Sequence, residues 1–387
     1  MLQLTSSDLA TWVRRSLHDD RAQPGDATVE PVDYVFGSPT TDGLYRVRGT
    51  AVSRGQEVPW SLFVKRLRSY RHWPVLPHLP TALREEALRS DAWRYEADLY
   101  ADGLPGVLPD GMRLPEVWAI QALPDERLLL VLEDVSCDAS PWDLRRFSSA
   151  ARLLGQLSAR LTRCDALPAT ASRTPGVVTR RFYTGRVEVL ALPGLADPAL
   201  WTHPLLTGGL PLRDDLLELG RRTPEILAHL ERLPQVLVHG DASPQNLLVE
   251  AAPPHDLVVI DWMLGGLAAV GDDLGQLLVG LAHAGLCAVE ELPAIRTAIL
   301  SAHRAGLAEE GLDVDEASIA TGLDGGLVVR SAFTSLPTEQ LQDPVTDELA
   351  ELVATRLELT RYLVDLGLDL SRRLPSGTRG RPAVARR

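Results

Sequence analysis

The residues of this sequence best suited to chemistry surround two short apolar runs. Asp241 lies in the loop His239-Gly-Asp-Ala-Ser-Pro-Gln-Asn246, which leads into the first run, and Asp261 ends the second run, residues 257–260. If the two runs form an antiparallel hairpin, Asn246 and Asp261 meet at its open end, next to Asp241. An amide oxygen and a carboxylate placed there suit a hard cation such as Mg²⁺. Asp241, which is not needed as a ligand, is then available to accept a hydrogen bond from a substrate hydroxyl.

Two of the candidate residues belong to residue types that the chain otherwise avoids. Lys65 is the only lysine among 39 Lys and Arg residues, and Asn246 is the only asparagine. A residue type that occurs once, against such a bias, indicates a task that no other side chain performs. Phosphoryl transfer requires a cation on the phosphate oxygens, oxygen ligands for Mg²⁺ and a group that positions the attacking hydroxyl. The single lysine, the single asparagine and the two aspartates supply these groups, which predicts ATP-dependent phosphoryl transfer.

Each of these residues also has a purely structural interpretation. Asp and Asn are common in turns that precede a strand, so Asp241 and Asn246 taken singly fit an ordinary turn. Their joint occurrence with Asp261 favours the chemical interpretation. A lone histidine is more often structural than catalytic, and His239 is therefore interpreted as a buried scaffold residue.

Hydrophobic patterning predicts a strand-rich N-terminal part followed by a helical part. A capped helix start is predicted at Ser6 and Ser7, and short strands are predicted between residues 29 and 135, interrupted by one helix over 82–101. Lys65 falls in the strand-like run 60–67. Further helices are predicted over 147–161, 213–233 with a fresh start at Thr223-Pro224, 274–286, 293–308 and 346–370.

These patterns predict the domain organisation of the chain. We expect an N-terminal nucleotide-binding lobe over residues 1–132 and a linker, or hinge, over 133–138. A helical C-terminal catalytic and substrate lobe follows over 139–370, and a disordered tail over 371–387.

The motif residues carry a resemblance to a known family. His239-Gly-Asp-Ala-Ser-Pro-Gln-Asn246, followed by Val259-Ile-Asp-Trp262, resembles the signature of the aminoglycoside phosphotransferase family, which is related to choline kinases and protein kinases. The resemblance implies an α+β, bilobal, protein-kinase-like fold. Its small N-terminal lobe would contain an antiparallel sheet and one helix, and its larger C-terminal lobe would be mainly helical.

The resemblance also implies roles for the residues of the C-terminal motifs. Asp241 corresponds to the catalytic base, and Asn246 and Asp261 correspond to the Mg²⁺ ligands. The segment Gly271-Asp-Asp273 is similar to one in which a further aspartate braces the catalytic loop, and this role falls on Asp273. Ser243 stands where protein kinases often carry lysine, which argues against a conventional protein kinase.

For the N-terminal motifs the resemblance implies an ATP site. Lys65 would bind the α- and β-phosphates and be held by a helix glutamate, for which Glu96 is preferred over Glu85 and Glu86. The backbone at Glu133 and Val135 would hold adenine. The loop Gly37-Ser-Pro-Thr-Thr-Asp-Gly43 departs from the G-x-G-x-x-G pattern, so phosphate contacts from Thr41 and Gly43 stand beside an ordinary hairpin turn as alternatives.

Composition narrows the partners and the location of the protein. The net charge of −13 argues against nucleic acid, because a phosphate backbone requires a basic surface. The same charge either attracts a cationic acceptor or serves solubility alone. Three distant cysteines predict buried, reduced thiols, and the absence of a signal peptide or a membrane-spanning run predicts a cytoplasmic protein.

Three functions are compatible with these features. The leading one is transfer of the γ-phosphate of ATP, with Mg²⁺, to a hydroxyl of a small molecule such as an aminoglycoside-like antibiotic, a sugar or an amino alcohol. The second is phosphorylation of Ser or Thr in a peptide during natural-product maturation. The third is a catalytically inactive binding protein on a kinase fold, which the retained Lys65, Asp241 and Asp261 disfavour.

Overall fold

A computed structural model of the protein describes residues 4–33, 38–102, 104, 106–164 and 173–374. The chain forms two compact units. Among the described residues the first unit contains 4–140 and 246–263, and the second contains 141–164, 173–245 and 264–374. The sequence-based boundaries assign 246–263 to the C-terminal lobe, whereas in the structure this segment packs with the N-terminal part of the chain.

The helices and strands follow the predicted change from strands to helices. The strands are β1 (Gln23–Pro31), β2 (Thr41–Ser53), β3 (Gln56–Arg68), β4 (Met112–Arg113), β5 (Val117–Leu123), β6 (Arg127–Glu133), β7 (Gln235–Val238), β8 (Leu247–Val249), β9 (Leu257–Val259) and β10 (Gly266–Ala269). The α-helices are α1 (Ser6–Ser16), α2 (Thr81–Arg89), α3 (Tyr95–Asp102), α4 (Leu144–Thr162), α5 (Val177–Phe182), α6 (Leu192–Ala196), α7 (Leu210–Leu230), α8 (Asp273–His283), α9 (Leu292–Glu309), α10 (Glu316–Ser331) and α11 (Asp347–Arg373).

The first unit is built on a five-stranded antiparallel sheet with the order β1-β2-β3-β6-β5. Strand β3 is central, and Lys65 on it lies opposite Leu44 of β2 and Leu130 of β6. Leu62 and Val64 of β3 pack in a core that includes Trp12 of α1. Side chains alternate between the faces of a strand, so Lys65 points away from Val64 and from that core. The sheet therefore holds the only lysine at a fixed, central position.

A second, smaller sheet in the first unit contains the predicted hairpin. Strands β8 and β9 pair antiparallel with Leu247 opposite Val259, which confirms the hairpin expected from the two apolar runs. Strand β4 joins the other side of β9 in parallel, with Met112 opposite Leu257. This pairing explains why the hairpin belongs to the first unit although it follows the helices of the second in the sequence.

The single helix predicted over 82–101 is wrong. The chain forms α2, then a short 3₁₀ turn at Ala92–Arg94, and then α3. Ser90 leaves the helical conformation with ψ of 124°, and its hydroxyl accepts a hydrogen bond from the Ala92 N–H at 3.2 Å. Such local side-chain hydrogen bonds compete with the helix, which explains the interruption.

The second unit is mainly helical. Helix α4 packs against α9 and against β7, and β7 pairs antiparallel with β10. The predicted fresh start at Thr223-Pro224 is wrong, because α7 continues through Pro224. The Thr223 hydroxyl donates to the Leu219 carbonyl at 2.9 Å, and buried Ile226 and Leu227 keep the following turn packed. Tertiary packing outweighs the helix-breaking tendency of proline here.

Helix α10 has no counterpart among the predicted helices. It contacts α7, α8, α9 and α11 and is buried along most of its length. Gly322 and Gly326 lower its helix propensity, which hid it in the sequence. A Cβ atom on Gly322 would collide with the Val270 carbonyl, and one on Gly326 would collide with the Asp272 carboxylate. The glycines are therefore required for close packing of a helix, not for a loop.

Several remaining expectations concern the surface and the chain end. The predicted burial of the cysteines is wrong for Cys137, which is exposed, whereas Cys164 and Cys287 are half-buried; all three are free thiols. Helix α11 extends to Arg373, three residues into the predicted tail, and 375–387 lies outside the described residues. Within the described ranges, no helix combines the length and apolarity needed to cross a bilayer.

The packing of α9 predicts an acid-sensitive core. His303 is 1% exposed and bonds the Ala151 carbonyl through Nδ1, and burial lowers the pKa of His303 from 6.5 to about 4. Between these values the unfolded chain binds a proton that the folded chain does not, so stability falls as pH drops from 6.5 to 4. We expect His303→Gln to reduce the loss of unfolding free energy between pH 7 and pH 5 by about 2 kcal/mol, measured by urea unfolding. The exposed variant His78→Gln should keep the wild-type loss, and an unchanged loss in His303→Gln would contradict the prediction.

Candidate active site

The only lysine of the chain is the centre of an ionic cluster in the first unit. Lys65 is 5% exposed, and its Nζ donates hydrogen bonds to Glu96 Oε2 at 2.7 Å and to Asp261 Oδ1 at 2.8 Å. Burial alone would lower the pKa of Lys65, but the carboxylates of Asp261 and Glu96 outweigh it and raise the pKa above its ordinary value. The ammonium group is therefore charged and fixed between two acidic side chains.

Glu96 is the glutamate that the structure places beside Lys65. It lies in α3 and is 1% exposed, whereas the alternatives Glu85 and Glu86 lie on α2 and are exposed. Burial raises the pKa of Glu96, Lys65 opposes this effect, and the nearby Asp261 carboxylate adds to it. The break between α2 and α3 contributes to this arrangement. Helix α3 is buried and places Glu96 beside Lys65, whereas α2 remains at the surface.

The β8–β9 hairpin places Asp261 beside Lys65. The Ile260 N–H donates to the Asn246 carbonyl at 3.1 Å, so Asn246 and Asp261 lie at the same end of the hairpin, as predicted. Asp261 has a φ of 60°, in the left-handed region that non-glycine residues rarely adopt. The buried Trp262 follows directly and anchors this turn. Strained backbone of this kind persists where the surrounding structure fixes it, and it is concentrated at functional sites.

The residues at the end of the hairpin fit a magnesium ion. Asn246 offers an amide oxygen and Asp261 a carboxylate, both hard donors. In the described part of the chain no group of three or more His, Cys, Asp or Glu side chains is arranged to hold a metal. Mg²⁺ commonly binds through one or two carboxylates and takes its other ligands from water and substrate phosphates. The donor set therefore suits a metal that takes its remaining ligands from water and a nucleotide.

Asp241 lies in the second unit, in a loop braced by Asp273. The Asp273 carboxylate accepts hydrogen bonds from the backbone N–H groups of His239 at 2.9 Å and Gly240 at 2.7 Å. Burial raises the pKa of Asp273 to about 7, and the two N–H donors oppose this effect. His239 is fully buried, and its Nδ1 accepts the Asp241 N–H at 3.1 Å. His239 and Asp273 thus make the contacts expected of scaffold residues.

Gly240 makes the sharp turn that presents Asp241. Its φ is 81°, and a Cβ atom at this position would collide with the Leu264 carbonyl. Only glycine combines this conformation with such a close backbone approach. The direction of the Asp241 side chain is therefore fixed by the residue before it.

Arg330 contacts the loop that carries Asp241, and the sequence did not predict this contact. It lies at the end of α10, and its Nη2 donates to Asp241 Oδ1 at 2.6 Å while Nη1 bonds the Gly240 carbonyl. Its guanidinium also stacks 5.0 Å from the centre of the Phe182 ring. The sequence contains one signal for this residue, a single arginine within the apolar run Leu327-Val-Val-Arg-Ser331, but it predicts no helix there.

The remaining predicted ATP contacts also lie in the first unit. The backbone N–H groups of Thr40 and Thr41 both donate to the Ser38 hydroxyl at 3.2 Å, so a phosphate would compete with that side chain. Gly43 follows an irregularity in the β2–β3 pairing. Gly37 itself lies outside the described residues.

Side-chain hydrogen bonds hold the beginning of the predicted hinge in place. Glu133 forms a double hydrogen bond with Arg113 at 2.7 and 2.8 Å, and its backbone N–H donates to the Glu116 carbonyl at 2.9 Å. An adenine held by this segment would therefore use backbone groups other than the Glu133 N–H. Val135 follows β6 outside the regular strand, and its carbonyl accepts from the Cys137 thiol at 3.5 Å.

The Lys65–Glu96 pair makes a direct prediction for stability. We expect Glu96→Gln to lower the unfolding free energy by about 1–3 kcal/mol, because a buried charge-assisted hydrogen bond is weakened. Asp261 still compensates Lys65, which keeps the loss below that of an unpaired buried charge. The matched variant Glu85→Gln, at an exposed position, should change stability by less than about 0.5 kcal/mol. Equal effects of the two variants in urea unfolding would show that the pair contributes nothing.

Comparison with known proteins agrees with the fold and the motifs. Residues 141–311 match the phosphotransferase enzyme family, a range that includes Asp241, Asn246 and Asp261. The chain is similar to the structure of an amicoumacin kinase in complex with AMP-PNP, Ca²⁺ and Ami, with 15% identity over 87% of this chain and 88% of that chain and a TM-score of 0.53. It is also similar to a spectinomycin phosphotransferase in complex with ADP and spectinomycin, with 12% identity over 96% and 100% of the two chains and a TM-score of 0.50. No curated protein sequence is significantly similar to the chain.

These comparisons confirm the predicted fold class, an α+β kinase-like fold with an antiparallel sheet in the N-terminal part and helices in the C-terminal part. The motif resemblance is confirmed as well, since residues 141–311 match the phosphotransferase enzyme family. This match agrees with the predicted enzyme class, a phosphotransferase.

Proposed function

We propose that the protein is an ATP- and Mg²⁺-dependent phosphotransferase that transfers the γ-phosphate to a hydroxyl group of a small molecule. The observation that carries the proposal is the pairing of the only lysine with both Glu96 and Asp261. Stability alone does not explain a buried cation that is held by one acid on a helix and another after a β-hairpin. Replacing such a cluster with apolar residues is often neutral or stabilising, so its presence favours a functional role.

Each residue has a distinct role in the proposed reaction. Lys65, held by Glu96, orients the α- and β-phosphates of ATP. Asn246 and Asp261 would hold Mg²⁺, which would supply positive charge to the phosphate groups of the nucleotide. Asp241 accepts the proton of the acceptor hydroxyl as the hydroxyl oxygen bonds in line to the γ-phosphorus, and the bond from that phosphorus to the bridging oxygen breaks so that ADP leaves. Asp273 keeps the Asp241 loop in place through the amides of His239 and Gly240.

A small-molecule acceptor is supported by the similar structures. The two similar structures are those of an amicoumacin kinase and a spectinomycin phosphotransferase, which act on the small molecules in their names. We therefore propose a hydroxylated small molecule, such as an antibiotic, a sugar or an amino alcohol, as the acceptor class. The side chain of Ser243, in place of a lysine, remains consistent with an acceptor that is not a protein.

A transfer assay with γ-labelled ATP tests this function. The protein is incubated with Mg²⁺, ATP and mixtures of hydroxylated antibiotics, sugars, hydroxy acids and Ser- or Thr-containing peptides, and products are identified by their gain of one phosphate in mass spectrometry. Nucleotide binding is measured separately by calorimetry with AMP-PNP. Label in a small molecule supports the proposal, label in a peptide redirects it, and the absence of both nucleotide binding and transfer contradicts it.

A further inference from the structure

Three basic side chains of the second unit surround one short stretch of backbone, residues 330–335. Arg330 begins the stretch at the end of α10. Arg356 of α11 donates from Nη1 to the Ser335 carbonyl at 3.3 Å. His283, the last residue of α8, is hydrogen-bonded to the Thr334 backbone. We call Arg330, Arg356 and His283 the basic cluster.

The basic cluster adjoins Asp241 through Arg330. The Arg330 guanidinium bonds the Asp241 carboxylate and the Gly240 carbonyl and stacks on Phe182. Arg330 is therefore a positioning residue for Asp241, and its positive charge is compensated. Another anion near Asp241 would need a different cation.

Arg356 forms no ion pair with an acidic side chain of the described residues. Among the described residues no carboxylate lies within 4.0 Å of its guanidinium nitrogens, and its buried Nε has no hydrogen-bond acceptor. Arg361, five residues later on the same helix, is paired with Asp215 at 2.7 Å and with Asp365. Burial lowers the pKa of Arg356, and no acid raises it.

His283 adds no charge beside Arg356. Burial and the nearby charges of Arg356 and Arg330 lower the pKa of His283 to about 4, so the ring is neutral at physiological pH. A half-buried guanidinium without a paired carboxylate costs free energy, and an oxyanion bound at its Nη groups would offset part of that cost. Arginine is the side chain best suited to bind carboxylate or phosphate through paired N–H groups.

Resting on the proposed function, we propose that Arg356 binds an oxyanion group of the phosphate acceptor, either a carboxylate or a phosphate. The acceptor is then a hydroxy acid or a phosphorylated polyol, whose hydroxyl reacts at Asp241. This differs from the cationic acceptor suggested by the net charge of −13. Charges beyond about 8–10 Å are screened at physiological salt, so the unpaired Arg356 has more influence on a ligand bound beside it than the net charge of the whole chain.

Binding of inorganic phosphate is the decisive test. Phosphate is titrated by calorimetry into the wild type, Arg356→Ala, Arg356→Lys and the control Arg372→Ala, an exposed arginine of the same helix. We expect the wild type and Arg372→Ala to bind alike, Arg356→Ala to bind roughly 10- to 100-fold more weakly and Arg356→Lys to recover part of the affinity. No binding to the wild type, or equal binding by Arg356→Ala, overturns the proposal. If Arg356→Ala does not fold, the lysine variant decides, because a purely structural arginine would leave phosphate affinity unchanged.

Transfer kinetics provide a second readout and separate the two proposals. With matched acceptors, namely glucosamine, glucose, gluconate and glucose 6-phosphate, and with any acceptor from the transfer assay, Arg356→Ala should raise KM for anionic compounds and leave kcat nearly unchanged. Efficient transfer to a cationic acceptor that does not depend on Arg356 overturns the inference and leaves the phosphotransferase function intact. Absence of nucleotide binding and transfer rejects the proposed function, while the phosphate titration still decides whether Arg356 forms an anion site.

Discussion

Asp241→Asn is expected to lower the turnover number for phosphate transfer by roughly 10²- to 10⁴-fold, the range typical of a lost general base. The asparagine amide keeps the size of the side chain and can still accept a hydrogen bond from Arg330, but it cannot take the proton of the acceptor hydroxyl. ATP binding depends on Lys65, Asn246 and Asp261 in the proposed mechanism, so the affinity for Mg-AMP-PNP should be nearly unchanged. Single-turnover transfer and calorimetry measure the two effects separately.

A matched control for this variant is Asp215→Asn. Asp215 of α7 also forms an ion pair with an arginine, Arg361, in the second unit, so this change removes a comparable carboxylate–guanidinium contact. We expect its turnover to remain at the wild-type level. Turnover in Asp241→Asn close to that of Asp215→Asn would remove Asp241 from the mechanism and leave it as a partner of Arg330 only.

Asp261→Ala is expected to abolish transfer within detection and to remove the dependence of ATP binding on Mg²⁺. The change deletes the carboxylate of the proposed metal site and one of the two acids that hold Lys65. Lys65 retains Glu96, so the cluster keeps a charged ammonium and a residual, metal-independent affinity for nucleotide. Calorimetry with AMP-PNP, with and without Mg²⁺, measures this difference directly.

The control for this second variant is Asp256→Ala, in the turn of the same hairpin. Its backbone carbonyl accepts from the Glu250 N–H, a contact that the substitution preserves. We expect normal transfer and a normal response to Mg²⁺. If Asp261→Ala instead keeps its activity, or if its nucleotide affinity still increases with Mg²⁺, the metal role of Asp261 is wrong.

The part of the site that the sequence predicted is the part fixed by local geometry. Asn246 and Asp261 could be placed together because an antiparallel hairpin requires the start of one strand to lie beside the end of the other, and β8 and β9 obey this rule. Lys65 could be placed on a strand because the run around it is mostly apolar. Glu96 required the family resemblance, since helical spacing alone did not distinguish it from Glu85.

The part that the sequence did not predict depends on packing between distant elements. The break between α2 and α3 results from the Ser90 hydroxyl, a local competitor that the apolar spacing of that region conceals. Helix α10 was hidden by glycines that exist to let it approach Val270 and Asp272. Without α10 in the prediction, neither Arg330 nor its contact with Asp241 could be expected. Close packing of this kind leaves no periodic signal in a single sequence.

The burial of Lys65 also determines how the protein responds to covalent reagents. Acylating reagents require an accessible, uncharged ε-amine, and the only one in the chain is enclosed and kept protonated by two carboxylates. Side-chain labelling by activated esters should therefore be almost absent in the folded protein. Any label that does attach to a lysine reports on a single known atom, without background from other side chains.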